Sequence, residues 1–491
     1  MSQQATPQPR PGVDDRAAAG DLAPGDDPAR GGLSRRGFIA GTAAAASLGA
    51  LAGAANAPNA VARARDARPN VLLIVTDDQP KRTEWAIPRT VDWLAGRGVR
   101  YTNGHVTTPL CSPSRSSVLS GRYAHHHGVR NNQASYQLDQ STTIQRHLAE
   151  AGYRTGLFGK FLNAWQLADN PPHFEEFALL SPGYVDARWN VNGAVQQLPG
   201  YTTTIIREET LRFIERSTSD DRPWFAYVTP YAPHGPNTPE PDYAEVPVPA
   251  WNGRPSVPEE DRSDKPPYIQ NATGTLADGR RIRRNQLRTL LSVDDTVEAF
   301  RQKLAELGQL ENTLVIYIAD NGFSWGDHGW TKKSVPYRQA HEVPFYASWP
   351  AGGLGGGRRD DRIVANIDIA PTVLDAAGVV PDHEQDGISL LSDRSRDHLL
   401  VEWWKQGDGA AGPRTWASYV AKDRQYTEYY ALTTNADGEV SGGGEVTFRE
   451  YYDLVNDQHQ LTNALHQADE EDEANLGIAE LAAQLAADRA G

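Results

Sequence analysis

The sequence carries a single cysteine, Cys111, in 491 residues. An internal disulfide is therefore excluded, and the thiol is either a leftover or itself the chemistry. The chain also lacks a basic excess: 48 Lys and Arg stand against 63 Asp and Glu, a net charge of −15. With no strong basic run, nucleic acid and anionic membrane are poor partners. The overall field gives no help in drawing in an anionic substrate, so a site for one has to concentrate positive charge locally. A bilayer-spanning apolar run is missing too. The best candidate, in SRRGFIAGTAAAASLGALAGAANA, is rich in alanine and glycine, and falls short of the ~18–20 apolar residues a span needs. No internal repeat is evident.

What that N-terminal segment does carry is Arg35-Arg36 ahead of a weakly apolar stretch, after a Pro-, Gly-, Ala- and Asp-rich leader. The pattern reads as a twin-arginine export signal. It predicts that residues 1–57 are leader and Tat signal peptide, cleaved between Ala55 and Ala64. It also predicts export by the Tat machinery, no stable membrane anchor, and a secreted, periplasmic or cell-wall-associated protein. Disulfides persist outside the cytoplasm, which sharpens the question of why one unpairable cysteine is kept.

Beyond the leader, strand and helix signals alternate. PNVLLIVTDDQ (69–79), RPWFAYVTPYAPH (222–234) and NTLVIYIADNG (312–322) are apolar strands that end in polar clusters, and QLRTLLSVDDTVEAFRQKLAELG (286–308) has helical apolar spacing. Continuous apolar strands between amphipathic helices predict an α/β fold with a mixed, mostly parallel sheet flanked by helices. Residues 235–283 are Pro-rich and aperiodic, a long loop that is either a lid or a solvent-exposed linker. From about 392, HLLVEWW, TWASYVAK, YTEYYALTT and EVTFREYYDL read as short antiparallel strands. The predicted organisation is a catalytic α/β domain over 68–391 and a smaller C-terminal antiparallel-sheet subdomain over 392–491, closing with a helix after the acidic patch 469–473.

Three strand ends present Asp77-Asp78, His234 and Asp320-Asn321. Ligands bind beyond the carboxyl ends of strands in open α/β sheets. Three carboxylates and a carboxamide are hard oxygen ligands that favour Ca²⁺ or Mg²⁺ over zinc. In TPLCSPSRSSVLSGRY (108–123), Ser112 and Pro113 can open a helix and Gly121 can close it. Cys111 then sits at a helix N-terminus, where the macrodipole favours an anion and lowers a thiol pKa. Arg115 follows one turn later on the same face.

Cys111-Ser112-Pro113-Ser114-Arg115 followed by Leu119-Ser120-Gly121-Arg122 resembles the C-x-P-S-R … L-S/T-G-R/K signature of the type I sulfatases. The resemblance spans most of the mature chain. PNVLLIVTDDQ is similar to the family's metal-binding strand, YAPH to its histidine loop, and IADNG to its second metal pair. VANIDIAPTVLD…DGISL resembles the close of its catalytic domain, and FGKFLN and LLSVDDTVE resemble the N-acetylglucosamine-6-sulfatase-like branch. The resemblance implies an alkaline-phosphatase-like fold and a cysteine converted by a formylglycine-generating enzyme to 3-oxoalanine (Cα-formylglycine). It implies calcium ligands Asp77, Asp78, Asp320 and Asn321, completed by the modified residue 111. Arg115 matches the residue that holds the formylglycine hydrate, and Lys160 and Lys333 match the two sulfate-clamping lysines. His234 matches the histidine beside the leaving oxygen. Lys332 is the neighbouring alternative, but Lys333 keeps the family spacing to Val343-Pro344.

Two departures stand out. Leu162 occupies the position of the usual G-K-x-H histidine, with Asn163 after it, and Tyr337-Arg338 replaces the usual Tyr-Glu. His125-His126-His127 offers no zinc site, because successive histidines diverge and zinc needs convergent ligands. The implied reaction is hydrolysis of a carbohydrate or aryl sulfate monoester. One geminal hydroxyl, deprotonated with help from the metal and Asp320, attacks sulfur, His234 protonates the departing alcohol, and the second hydroxyl expels sulfate. Competing readings are a phosphate or phosphonate monoester hydrolase on the same scaffold, and an unmodified, non-catalytic protein that binds sulfated glycans.

Overall fold

The computed structural model of the protein describes residues 68–219, 221–405, 412–434 and 440–490. The predicted leader, twin-arginine pair and cleavage region lie outside the described residues.

The large sheet is built from β1 (Asn70–Thr76), β2 (Val99–His105), β3 (Arg154–Gly159), β4 (Glu176–Leu180) and β5 (Arg188–Val191). It is completed by β6 (Ala194–Gln197), β7 (Trp224–Thr229), β8 (Thr313–Ala319), β9 (Phe345–Ser348) and β10 (Arg358–Ala365). The spatial order is β10-β2-β9-β8-β1-β7-β3-β4-β5-β6. The central run β8-β1-β7-β3-β4 is parallel, as is β10 on β2, whereas β9 and the β5–β6 hairpin run antiparallel. The sheet is thus mixed and mostly parallel.

Continuous apolar strands arise because both faces are covered. Along β1, Val71, Leu73 and Val75 pack with Val118, Ile144, Leu148 and Val373 on one face. Leu72 and Ile74 pack with Ile206, Phe213, Leu290 and Val297 on the other. The second face is supplied by helices Thr202–Ser217 and Leu276–Glu306.

The long helix begins ten residues before the predicted 286. Thr275 and Asp278 form a reciprocal capping box at its start, and the Arg-rich turn that follows is its solvated face. The Pro-rich segment ahead of it is also tied down. Arg254 pairs with Asp327 at 2.6 Å, Arg262 donates to the His328 carbonyl at 2.8 Å, and Lys265 donates to the Leu461 carbonyl at 2.8 Å. A free linker is excluded by these bonds.

A separate antiparallel sheet holds β11 (His398–Trp403), β12 (Trp416–Ala421), β13 (Arg424–Thr434) and β14 (Val440–Asp453), in sequence order. The acidic patch is itself a short helix, Glu470–Leu476, capped by Asp469. Its four acidic residues in the first turn face the positive end of the helix dipole. A closing helix, Ile478–Ala490, follows.

Candidate active site

Strand order explains the site. β8, β1, β7 and β3 are parallel neighbours, so their carboxyl ends open on one edge and deliver Asp320-Asn321, Asp77-Asp78, the His234 loop and Lys160 side by side. At the end of β3 the backbone turns with Gly159 at φ +119, where an added Cβ would lie 2.1 Å from the Thr229 carbonyl oxygen. Only glycine fits there. Gly159→Ala is expected to destabilise the protein by roughly 3 kcal/mol or more through this clash and the positive φ. Urea unfolding checks it, and a loss below about 1 kcal/mol would contradict the reading.

Cys111 enters from the other side as the first residue of helix Cys111–Ser120, entered from the extended Leu110 and closed by Gly121 at φ +73. Every residue of this serine-rich helix is buried, so its hydroxyls need partners. Ser112 Oγ bonds Asn163 N at 2.7 Å, Ser114 Oγ bonds Asn366 Nδ2 at 2.9 Å, and Ser117 Oγ bonds His127 Nε2 at 3.1 Å. Asn163 therefore buttresses the residue beside Cys111, and Leu162 is core. The three consecutive histidines go to three partners: His125 to Glu402, His126 to Asp386, and His127 to Ser117.

Around the sulfur the groups interlock. Cys111 Sγ lies 3.5 Å from Asp77 Oδ1 and 2.8 Å from Lys333 Nζ, which also bonds Asp78 Oδ1. Lys160 Nζ donates to Asp77 Oδ2 at 2.5 Å. Arg115 Nε donates to Asp320 Oδ2 at 2.8 Å and its Nη1 to the Lys160 carbonyl at 3.1 Å, while Nη2 stands 3.6 Å from Asp77. His234 Nε2 is 3.6 Å from Asp78 Oδ2. Its Nδ1 bonds the Gly235 carbonyl at 2.7 Å, so Nδ1 carries a proton. Lys332, by contrast, is exposed on a neighbouring cleft of about 1080 Å³ that is also lined by Trp330, Tyr268 and Arg414.

Three cations (Arg115, Lys160, Lys333) thus face three carboxylates (Asp77, Asp78, Asp320). Burial would push the Asp77 carboxyl up, but Lys160, His234, Arg115 and Lys333 hold it far below the ordinary range. The Asp320 carboxyl is raised by burial and by Asp77. Burial works to lower the lysines, yet Asp77 raises Lys160, and Asp78 with Cys111 raises Lys333. The thiol corrects the sequence expectation. Burial, with Asp77 beside it, pushes Cys111 up to about 12 rather than down. A helix terminus is worth ~0.3–1 kcal/mol to an anion, too little against full burial next to a carboxylate.

The donors that converge within 4.8 Å of one another are Asp77, Asp78, Cys111 and His234. Asp320 stands just outside this group, its Oδ1 held by the Asp78 N–H at 3.0 Å. Asn321 donates from Nδ2 to Asp78 Oδ1 at 2.7 Å, and its Oδ1 is buried with no hydrogen-bond partner. An orphaned carbonyl oxygen among carboxylates is the donor set a hard cation takes.

Sequence reasoning missed what holds Lys333 in place. Two carbonyls, one hydroxyl and one N–H after it are gripped by the antiparallel sheet and the turn after it. Trp416 Nε1 donates to the Ser334 carbonyl at 3.1 Å, and Gln425 Nε2 donates to the Pro336 carbonyl at 2.6 Å. Tyr337 OH donates to Glu450 at 2.9 Å, and the Arg338 N–H donates to Gln460 Oε1 at 2.9 Å. Buried Gln425 and Glu450, on two strands otherwise rich in tyrosine, were the available signal, since such groups demand partners.

Comparison with known proteins decides the family. The sulfatase family model matches residues 69–379, more than half of the chain. The chain belongs to the sulfatase family. A second model, the C-terminal region of N-sulphoglucosamine sulphohydrolase, matches residues 326–489. The extracellular sulfatase SULF-1 homolog of Drosophila melanogaster is 32% identical over 74% of this chain, which spans only 35% of that protein's length. The human N-acetylglucosamine-6-sulfatase is 28% identical, with 82% of each chain covered. A structure solved with its substrate D-glucosamine-2-N,6-O-disulfate superposes with a TM-score of 0.70 at 22% identity, covering 86% of this chain and 97% of the other. This sulfatase has, among its described residues, no helix long and apolar enough to cross a membrane.

Proposed function

We propose that this protein is an exported hydrolase of carbohydrate sulfate monoesters that works through formylglycine made from Cys111 and a calcium ion. One observation carries the reading: the lone cysteine is buried within hydrogen-bonding reach of both Asp77 and Lys333. Carbohydrate as substrate rests on the glucosamine sulfates named for its relatives, and export rests on the twin-arginine segment and the extracellular relative.

Calcium fits Asp77, Asp78, Asp320 and Asn321, whose unpartnered Oδ1 it would engage. A hydrate at residue 111 would supply the nucleophilic hydroxyl and a second one for release of sulfate, and a calcium ion would supply positive charge. The chain's own residues do the rest. With three carboxylates balanced by three cations, a dication leaves positive charge in excess, and that excess receives an anionic ester. Lys160 and Lys333 flank residue 111 and neutralise the ester's outer oxygens. His234, with Nδ1–H fixed on the Gly235 carbonyl, has Nε2 as its exchangeable nitrogen beside Asp78, placed to give a proton to a departing alcohol. Arg115, anchored on Asp320, holds the oxygens of residue 111 in line.

Mass spectrometry of the tryptic peptide spanning residues 101–115, taken from the native producer, tests the proposal. The expected mass is that of the thiol replaced by an aldehyde. Unmodified cysteine throughout an active preparation would overturn it, and an intact thiol with glycan binding but no turnover would establish the binding-protein reading. Faster turnover of a phosphate or phosphonate ester than of the matching sulfate would establish the phosphohydrolase reading.

A further inference from the structure

A second cluster, remote in sequence from the active-site ligands, has the geometry of a metal site. His147 Nε2 lies 3.3 Å from His383 Nδ1 and 3.6 Å from Asp382 Oδ1, and His383 Nδ1 lies 3.8 Å from the same oxygen. The nearest point equidistant from these three atoms lies in their plane at ~2.1 Å from each, the bond length of zinc to histidine and carboxylate, and a tetrahedral ion sits just out of that plane once Asp382 Oδ1 draws in by about 0.3 Å. The ring centres are 5.2 Å apart. Two imidazoles on one tetrahedral ion at ~2.05 Å put their nitrogens about 3.3 Å and their centres about 5.2 Å apart. An in-line N–H···N bond of the same length would put the centres about 5.6 Å apart.

We propose that His147, Asp382 and His383 bind a tetrahedral transition-metal ion of the zinc type, with water in the fourth position, as a staple beneath the Cys111 helix. The surroundings orient each donor. His383 Nε2 donates to the Ser120 carbonyl at 3.2 Å, which leaves the Nδ1 lone pair free for a ligand. Arg146 Nη1 holds Asp382 Oδ2 at 2.8 Å, which leaves Oδ1 to the histidines. His147 is buried. Asp382, its side chain 62% exposed, gives the ion a way in.

Arg146 Nη1 also sits 3.1 Å from His147 Nδ1, a contact that requires a lone pair on Nδ1. Without metal the cluster is therefore a proton chain: Arg146 to His147, His147 Nε2–H to His383, and His383 to Ser120. Metal takes the place of the Nε2 proton. The ring proton then resides on Nδ1, so Arg146 gives up only that contact and keeps Asp382 Oδ2 and Glu150, which its Nε contacts at 2.9 Å.

The site joins helix Ile144–Glu150 to the loop 381–387. That loop closes the end of the Cys111 helix: Gln385 Nε2 donates to Ser120 O at 3.3 Å, and the Asp386 and Gly387 N–H groups donate to Gly121 O at 2.9 and 3.2 Å. Imidazole donors suit zinc, and the oxygens of Asp77, Asp78, Asp320 and Asn321 suit calcium, so excess Ca²⁺ is kept on the active site and the variants separate any Zn²⁺ that Cys111 and His234 take.

The test uses the full chain, stripped of transition metals and kept in excess Ca²⁺, and titrated with Zn²⁺ or with Co²⁺ as a coloured substitute. Wild type is expected to bind one Zn²⁺ more than the double variant His147→Gln/His383→Gln, to show intense tetrahedral Co²⁺ absorption that the variant lacks, and to melt at a higher temperature with Zn²⁺. Because replacing buried His147 can impair folding, the exposed Asp382→Asn is measured in parallel, with Zn²⁺ affinity expected to fall at least about tenfold. Equal Zn²⁺ stoichiometry and affinity in wild type and Asp382→Asn would overturn the site.

Discussion

Cys111→Ala is expected to release no measurable sulfate, a fall in kcat of roughly five to six orders of magnitude, the scale seen when an enzyme loses its nucleophile. Its thermal midpoint should barely move. The side chain is small, and both groups that touch the sulfur keep other partners: Lys333 stays on Asp78, and Asp77 stays on Lys160. The substitution therefore separates chemistry from fold. Cys111→Ser keeps a hydroxyl but has no second one with which to expel sulfate, so it should also fail to turn over. Sulfate release measured over many turnovers, beside circular dichroism of the folded variants, checks both. Normal turnover in the alanine variant would exclude residue 111 as nucleophile.

Lys333→Ala should cost about 10²–10³ in kcat/KM, the usual penalty for removing one group that stabilises developing charge. Its ammonium touches both Asp78 and the residue-111 side chain, so no neighbour can replace it. Lys332→Ala is the control. That side chain is exposed on the cleft, and its loss should change turnover by no more than a small factor. The stability readout has its own sign. Removing one cation from the balanced cluster leaves Asp78 short of a partner, at a cost of about 3 kcal/mol. Bound calcium should restore much of it. Calorimetry with chelator and with excess Ca²⁺ measures the difference, and an equal loss in both would argue against a cation at Asp78.

Much of the scaffold was legible because burial on two faces writes itself as unbroken apolar strands. β1, β7 and β8 were plain for that reason, and the polar residues at their ends were plain because nothing apolar follows them. The C-terminal strands were equally readable from their alternation. What stayed hidden depended on distance in three dimensions. The start of the long helix is coded by Thr275 and Asp278, but the Arg-rich face between them and residue 286 lacks an apolar rhythm. The thiol pKa was misjudged because a helix N-terminus can be seen in sequence, whereas full burial against Asp77 cannot. The convergence of His147 with His383 spans 236 residues and leaves no local trace.

The grip of the antiparallel sheet on residues 334–338 ties the two matched regions of the chain together. The two family models overlap over residues 326–379, and Lys333 lies inside that overlap. The C-terminal sheet is therefore bolted, through Trp416, Gln425 and Glu450, to the segment that directly follows Lys333. Exchanging the C-terminal sheet alone would leave Lys333 behind and remove the contacts that hold the segment after it. Damage far out in the sheet is therefore felt at the candidate active site, through three side chains that never touch it.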